Sequence, residues 1–398
     1  MHGQFSPPTY NAPVTPRWGA VYALFFGVFA LIAAEFLPMS LLTPMAHDLA
    51  ISEGLAGQGV TATAVVALFT GLLIASLTRG IDRRNVLLSF SVLLIVSNLL
   101  VAFAVNFPML VLGRLLLGVA IGGFWTMSAA TAMRLVPAED VPKALSMIFA
   151  GVSLATVVAA PLGSWLGAVI GWRMVFLSGA VFGFAGLIAQ WVTLPSMVSN
   201  STASLRTLFE VLLRPRVWQG IVCVALVFTG HFALFTFIRP FIEGTLGADV
   251  TWLTVFLLGF GVANFAGTLL AGPLLKRSLS ITLVAMPLLA GASALALSGL
   301  NTASILSLVL VALWGMAFGG IPVAWTTWNT RVAPDEAESA GGLIVAAIQF
   351  AIALGAASGG ILFESAGASG VYVYGGVVLL IAGALIALGV RAPVAATA

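Results

Sequence analysis

The first long apolar stretch of the chain, residues 18–41, holds a single charged side chain, that of Glu35. An ionised carboxylate is costly in hydrocarbon, so a carboxyl at this place is expected to face a polar cavity or a partner cation. Apolar surroundings favour its neutral form and a nearby cation favours its charged form, so moving between the two would load and release a proton. Glu35 is therefore a candidate proton carrier, unless it lies near enough to a helix end to meet lipid headgroups and water.

A cation stands in a comparable position in the fourth apolar run, VLGRLLLGVAIGGFW. Helical periodicity places Arg114, Gly118, Gly122 and Trp125 on one face of that run. Opposite charges at similar depth in a membrane are expected to pair, directly or through water. We therefore predict that Arg114 is the partner of Glu35 in proton coupling, and a purely structural ion pair is the alternative.

The seventh and tenth runs each carry aromatic side chains together with polar ones on one helical face. One face of the seventh run carries two phenylalanines, a histidine and an arginine. One face of the tenth run carries Trp314, Phe318, a second tryptophan and an asparagine. Such faces suit a flat, polar, ring-bearing ligand, although packing or lipid contact gives the same pattern. The candidate binding residues are Trp125, Phe228, His231, Phe235, Arg239, Asn264, Trp325, Asn329 and Gln349.

The composition indicates that these residues lie on helices that span a membrane. Hydrophobic residues make up 61% of the chain and charged residues 7%, whereas a soluble domain has roughly 25% charged residues. A membrane-spanning helix needs about 20 apolar residues, and the runs do not alternate as β-barrel strands would. The predicted fold class is all-α integral membrane, with twelve transmembrane helices in two pseudo-symmetric six-helix bundles. The runs begin near residues 18, 55, 86, 109, 144, 174, 217, 250, 280, 303, 341 and 370.

Basic residues concentrate in alternate loops, which sets the predicted orientation. The opposite loops carry Arg173 and Arg239. Because cytoplasmic loops are enriched in Lys and Arg, both termini are predicted to be cytoplasmic, in a bacterial inner membrane. The first 17 residues lack the features of a signal peptide, so Trp18 is predicted to open a retained helix. The basic side carries Arg17, Arg79, Arg83, Arg84, Arg134, Lys143, Arg206, Arg214, Arg216, Lys276, Arg277, Arg331 and Arg391.

Two halves are predicted from the long polar loop between the sixth and seventh runs. Segments of the two halves resemble each other weakly, as AAPLGS in the fifth run does GAASGG in the eleventh. Paired repeats of this kind are typical of transporters whose halves move about a central site. The predicted divisions are a cytoplasmic tail at 1–17, a six-helix bundle at 18–194, a cytoplasmic loop at 195–215, a second bundle at 216–391 and a tail at 392–398.

Other chemistries lack their motifs. No run has the His/Glu spacing of a metal site, and no phosphate-binding P-loop is present, so no metal and no enzymatic activity are expected. The single cysteine, Cys223, excludes an internal disulfide. The net charge of +3 follows from the topology and does not indicate nucleic-acid binding.

Three short segments carry a family resemblance. TRGIDRRNVLL resembles the signature loop of the major facilitator superfamily, with Asp82 and Arg83 in place. GRLLLGVAIGG resembles the fourth-span motif of its proton-coupled members, with Arg114 at the arginine position, and AAPLGSWLG, with Pro161 and Gly163, resembles the fifth-span antiporter motif. The chain is thus similar over nearly its whole length to proton antiporters of the twelve-span drug-efflux type. This implies conformational roles for Asp82, Arg83, Pro161 and Gly163.

Longer stretches from both halves, among them EFLPMSLLTPMAHDLAISEGLAGQ and PVAWTTWNTR, resemble bacterial exporters of purine ribonucleosides. That resemblance implies efflux of nucleosides such as inosine and guanosine by alternating access, in exchange for protons. No cofactor is expected besides protons as the coupling ion. The expected partners are the nucleoside and the lipid bilayer, with no nucleic acid, and the protein is expected to be a monomer. Export of sugars such as arabinose, export of hydrophobic drugs, and a membrane receptor or scaffold without transport are the alternatives.

Overall fold

Twelve long apolar helices make up the computed structural model, which describes residues 16–78, 80–197, 205–333 and 336–389. The predicted tails and the middle of the central loop lie largely outside these ranges, as do Arg79 and Arg391. The first ten long helices are α1 Trp18–Asp48, α2 Glu53–Leu77, α3 Arg83–Ala102, α4 Phe107–Leu135, α5 Val141–Ile170, α6 Trp172–Thr193, α7 Pro215–Thr236, α8 Val250–Arg277, α9 Leu279–Ser298 and α10 Ile305–Val332.

The last helical segment, Ala337–Gly389, is two spans joined at a break. Its 53 residues would extend about 80 Å as one helix, far more than the ~30 Å of a bilayer core. At Gly367 the backbone has φ 66° and ψ −174°, a conformation that residues with a Cβ rarely adopt. Residues 337–366 are therefore α11 and residues 368–389 are α12, which gives the twelve spans that the sequence predicts. A short helix, Leu205–Leu212, precedes α7, and a π-helical turn, Phe241–Thr245, lies beyond it.

The two halves repeat the same helix contacts. In the first half α1 packs on α5, α2 on α4 and α3 on α6, and in the second half α7 packs on α11, α8 on α10 and α9 on α12. A Cβ on Gly118 of α4 would overlap the Thr63 carbonyl of α2, and one on Gly319 of α10 would overlap the Asn264 carbonyl of α8. The absence of side chains at these glycines thus lets equivalent helices cross closely, as the predicted pseudo-symmetric bundles require.

Contacts between the halves lie between α2 and α11, between α5 and α8, and at the end of α1 that approaches the segment after α7. A Cβ on Gly360 of α11 would lie 2.9 Å from the Gly54 carbonyl of α2, so the two backbones nearly touch. Nearby, Gln58 Nε2 donates a hydrogen bond to the Ala357 carbonyl at 3.5 Å. We call this contact region, formed by Gly54, Gln58, Ala357 and Gly360, the seam. It closes the end of the bundle at which α2 begins and α11 ends.

The signature loop between α2 and α3 is bonded within the first half. The Asp82 carboxylate caps α3 by accepting from the Arg84 N–H at 2.9 Å, and it also accepts from Ser196 Oγ and from the Met197 N–H at 2.8 Å. The Arg83 N–H donates to the Met197 carbonyl at 3.0 Å. Asp82 and Arg83 therefore join the start of α3 to the segment that follows α6. Their predicted part in conformational change stays a prediction.

Desolvation acts to raise the pKa of the Asp82 carboxyl, but the hydrogen bonds from Ser196, Met197 and Arg84 outweigh it, and the pKa lies below its usual range. A carboxylate with a lowered pKa stabilises the fold above its unfolded pKa of about 3.9, and that stabilisation is lost as the pH falls through the folded value.

Replacing the cap tests this assignment. Asp82→Ala removes the cap and is expected to lower the free energy of unfolding by about 0.5–2 kcal/mol at neutral pH. Asp82→Asn keeps a capping oxygen and should lose less. The measurement is thermal unfolding of the detergent-solubilised protein, and the gap between wild type and Asp82→Asn should narrow as the pH falls below about 4. Equal stability of Asp82→Ala and wild type at neutral pH would contradict the capping role.

Candidate functional site

Glu35 lies in the interior of α1 and its side chain is buried. At 1.5 Å per residue it is about 20 Å from the nearer end of the helix. This position near the middle of α1 favours the hydrocarbon region for the carboxyl over the headgroups. Among the described residues, none donates a hydrogen bond to the carboxyl group. The part of Glu35 as a proton carrier stays a prediction.

Arg114 reaches α1 from α4, but through the backbone. Its Nη1 donates to the Ala34 carbonyl at 2.8 Å and its Nη2 to the Glu35 carbonyl at 3.4 Å, while Nε has no hydrogen-bond partner among the described residues. In an α-helix the Ala34 carbonyl would accept from residue 38, which is Pro38 and has no N–H. The proline thus leaves an acceptor in the middle of the membrane, and Arg114 satisfies it.

The predicted pairing of the two charges therefore takes a particular form. Arg114 and Glu35 are neighbours whose charges interact, yet the guanidinium bonds to main-chain oxygens and forms no direct ion pair with the carboxylate in this conformation. Because one guanidinium nitrogen is still free, a small movement of either side chain would allow a direct bond. The arrangement can hold the carboxyl with or without its proton.

Arg239, just beyond α7, makes the matching contact from the second half. Its Nη1 donates to the Ser40 carbonyl of α1 at 2.6 Å, and that carbonyl would otherwise accept from Pro44, which again has no N–H. Nε and Nη2 bond to the two oxygens of Glu243 at 3.0 and 2.8 Å. These bonds occupy the guanidinium, so in this conformation Arg239 joins the halves. Its predicted contact with substrate would require the halves to separate there.

An aromatic cluster surrounds His231 on α7. The imidazole stacks on Phe318 with ring centroids 3.3 Å apart and planes at 3°, and on Phe235 at 5.5 Å and 17°. Trp314 donates its indole N–H to His231 Nδ1 at 3.1 Å. Phe228 meets Phe318 edge to face at 5.6 Å. The structure therefore brings together the aromatic faces of the seventh and tenth runs, a contact that spacing within one run does not define.

This cluster extends to the interface between the halves through Phe235. Phe235 meets Phe36 of α1 edge to face, with ring centroids 5.6 Å apart. Phe36 directly follows Glu35 in the chain. His231 lies one helical turn from Phe235 on the same face of α7. The cluster of the second half thus reaches the residue that follows Glu35 in α1, at the interface between the halves.

The other candidate binding residues lie apart from this cluster or make different contacts. Trp325 is about 16 Å along α10 from Trp314 and packs edge to face on Trp328 at 5.3 Å, with Asn329 buried one turn beyond. Trp125 of α4 stacks on Phe149 of α5 at 5.7 Å, inside the first half. The structure does not place these three side chains with the aromatic cluster.

The two midspan amides are buried, in agreement with their expected depth. Asn264 lies on α8 where Gly319 crosses it. Gln349 lies on α11, and its side-chain oxygen has no hydrogen-bond partner among the described residues. A buried polar atom without a partner is costly, and the predicted contact of Gln349 with substrate stays a prediction.

The fifth-span residues serve the packing of α5 on α1. A Cβ on Gly163 would lie 2.7 Å from Leu37 Cδ2 and 2.9 Å from Ser40 Oγ. Pro161 is buried just before it in α5. The close approach therefore falls beside the part of α1 that contains Pro38 and Pro44. A conformational role for Pro161 and Gly163 remains a prediction.

Comparison with known families decides the class of protein. Residues 24–345 match the model of the Major Facilitator Superfamily, which covers most of the chain. This chain belongs to the major facilitator superfamily. Superfamily members are membrane transporters, and the twelve spans and paired bundles described above are those of the superfamily fold.

Several curated relatives with high identity are pumps from Salmonella. The chain is 47% identical over 376 residues to the purine ribonucleoside efflux pump NepI of Salmonella enteritidis PT4 (strain P125109), with 94% of this chain and 95% of the relative covered. The pump of the same name from Salmonella paratyphi A (strain ATCC 9150 / SARB42) is 46% identical with the same coverage.

Solved structures with this fold include distant transporters. A mutant of the nucleoside transporter NupG superposes with a TM-score of 0.79 at 14% identity, covering 93% of this chain and 99% of that one. A bacterial homologue of the lysosomal transporter Spinster, in an inward-facing and unoccupied conformation, gives 0.77 at 16% identity, covering 94% and 97%. At these identities the likeness is one of fold.

The hydrogen bond from Arg239 to the Ser40 carbonyl holds the two halves together, so its loss should raise the fraction of molecules in which the seam is open. In a Cys223→Ser background with Ala357→Cys as the probe, Arg239→Ala is expected to raise the rate of maleimide labelling in membrane fragments that are open to the reagent on both sides. Loss of a charge-assisted hydrogen bond of about 1.5–3 kcal/mol corresponds to a roughly tenfold or larger rise in the open fraction.

Arg173→Ala is the matched control, because Arg173 pairs with Asp48 at 2.9 Å within the first half. That change removes an arginine near the same end of the bundle without touching the other half. Equal labelling rates in the two variants would show that Arg239 does not hold the halves together.

Proposed function

We propose that this protein exports purine ribonucleosides, such as inosine and guanosine, across the bacterial cytoplasmic membrane in exchange for protons. One observation carries the proposal: the aromatic cluster around His231 in the second half contacts Phe36 of α1, the residue that follows the buried Glu35. The chain is also 47% identical to pumps named for the efflux of this class of substrate. A flat base can stack on such a cluster, at roughly 1–3 kcal/mol per base.

The coupling step rests on Glu35 and Arg114. The carboxyl accepts no hydrogen bond from the described residues and lies beside a guanidinium with one free nitrogen. When the guanidinium moves toward the carboxyl, the charged form is favoured and the proton leaves. When it returns to the carbonyls of residues 34 and 35, the neutral form is favoured and a proton binds. Exchange of proton for nucleoside follows if the two occupy the interface in turn.

The available energy suffices for export. One charge that crosses 100 mV releases about 2.3 kcal/mol. At 1.4 kcal/mol per tenfold ratio, this maintains roughly a fortyfold gradient of a neutral nucleoside for each proton. An ordinary membrane potential can therefore drive net efflux without ATP.

We further propose that both termini are cytoplasmic. Since successive spans alternate in direction, Arg83, Arg134, Lys143, Lys276 and Arg331 all lie at the same end of the bundle. Enrichment of Lys and Arg marks the cytoplasmic end. On this orientation the seam is periplasmic, and the conformation described here is closed to the periplasm.

Transport into inverted membrane vesicles tests the function. Labelled inosine should accumulate in vesicles with an acidic interior, because proton exit then drives nucleoside entry, and guanosine should compete. Collapse of the gradient with a protonophore should abolish accumulation. Accumulation of arabinose or of a hydrophobic cation in place of inosine would support the sugar or drug alternatives and contradict the proposal.

Glu35→Gln tests the coupling. Glutamine keeps the size of the side chain but cannot exchange a proton, so the variant should lose gradient-driven inosine accumulation. It should retain exchange of external for internal inosine, because that process needs no net proton movement. The measurement is uptake over a range of imposed pH gradients, with Glu139→Gln as the control, since Glu139 is exposed in the loop between α4 and α5.

A Glu35→Gln variant that concentrates inosine in proportion to the gradient would place the proton elsewhere. Arg114→Ala should also impair coupling. Since both changes remove the same interaction, the double variant should lose little more than either single one. Additive losses would mean that the two residues act independently.

A further inference from the structure

One hydrogen bond determines which ring nitrogen of His231 carries the proton. Its Nδ1 accepts a hydrogen bond from Trp314 Nε1 at 3.1 Å. An indole N–H can only donate, so Nδ1 carries no proton, and the neutral ring has its proton on Nε2. Trp314 is fully buried, so water does not compete for this bond. The cluster therefore presents a hydrogen-bond donor and no acceptor at the other ring nitrogen.

That donor has no partner within the described part of the protein. Of the described residues, none accepts a hydrogen bond from His231 Nε2, although the side chain is only 2% exposed. Stacking on Phe318 at 3.3 Å and on Phe235 at 5.5 Å fixes the plane of the ring. An N–H that is fixed in direction and has no protein acceptor is suited to a ligand that brings the acceptor.

The position of the ring relates this donor to the interface between the halves. Phe235, one turn along the same face of α7, meets Phe36 of α1 at 5.6 Å. A planar ligand at this interface would have aromatic surface to stack on and one N–H to accept from. Among nucleobase edges, N7 is an acceptor that guanine and adenine share, and pyrimidines have no equivalent atom.

We propose that His231 Nε2–H donates a hydrogen bond to N7 of the purine base, and that Trp314 is the positioning residue that keeps the proton on Nε2. This inference rests on the proposed function, since it names the group that distinguishes purine from other nucleosides. His231 acts here as a neutral donor and takes no part in carrying the coupling proton.

Replacement of N7 by carbon tests the contact directly. Wild-type protein in inverted vesicles should show a roughly 2- to 13-fold preference for inosine over 7-deazainosine, the loss expected for one hydrogen bond. In His231→Phe, which keeps an aromatic ring but has no donor, the ratio of the two transport efficiencies should approach one. His231→Gln, whose amide can reach the same place, should restore part of the preference.

The matched control is His47→Phe, because His47 is exposed at the end of α1 and its loss should leave the preference intact. A preference that survives in His231→Phe, or equal transport of inosine and 7-deazainosine by wild type, would overturn this inference while the proposed function stands. If wild type accumulates neither nucleoside, the proposed function fails and this inference fails with it.

The role of Trp314 has a separate spectroscopic test. In ¹⁵N-histidine-labelled protein, His231 should give one protonated signal from Nε2 and one unprotonated signal from Nδ1. Trp314→Phe should shift both signals toward the average of a tautomer mixture and reduce the preference for inosine over 7-deazainosine. Unchanged signals in Trp314→Phe would show that the indole does not set the polarity of the ring.

Discussion

Two proline-released carbonyls in α1 are the constraint on which the arrangement of the site depends. Pro38 and Pro44 leave the oxygens of Ala34 and Ser40 without their helical donors, in a part of the molecule where water is scarce. Arg114 from the first half and Arg239 from the second half supply the missing bonds. Each arginine would itself be costly to bury without a partner. Each bond therefore satisfies both a buried guanidinium and a carbonyl that has no helical donor.

Helix α1 is therefore stabilised by arginines of both halves. The bond to Ala34 lies within the first half and holds a cation beside Glu35. The bond from Arg239 to the Ser40 carbonyl crosses between the halves. The same guanidinium also pairs with both carboxylate oxygens of Glu243. A movement that separates the halves must release the second bond, whereas it need not release the first. The two contacts can therefore change at different stages of a transport cycle.

The sequence predicted the fold more completely than the site, for a physical reason. Twelve spans follow from hydropathy because a bilayer demands about 20 apolar residues for each crossing, and the observed helices begin within a few residues of the predicted starts. Spacing on one helix also placed His231 with Phe235. Contacts between helices depend on rotation and depth, which spacing within one run does not define. Hence Trp325 and Asn329 lie elsewhere, and the bond of Arg239 to α1 was missed, although a proline four residues beyond Ser40 is a readable sign of an open acceptor.

The close approach of Gly54 and Gly360 offers a way to shift the equilibrium between the closed and the open arrangement of the halves. A methyl group on Gly360 would lie 2.9 Å from the Gly54 carbonyl, and one on Gly54 would lie 2.8 Å from the Gly360 carbonyl. Neither distance is tolerable between backbone and Cβ, so an alanine at either position acts as a wedge. The wedge penalises the closed arrangement and leaves the separated one free of strain. Single-methyl variants are therefore a simple route to trapping the opposite state for structure determination.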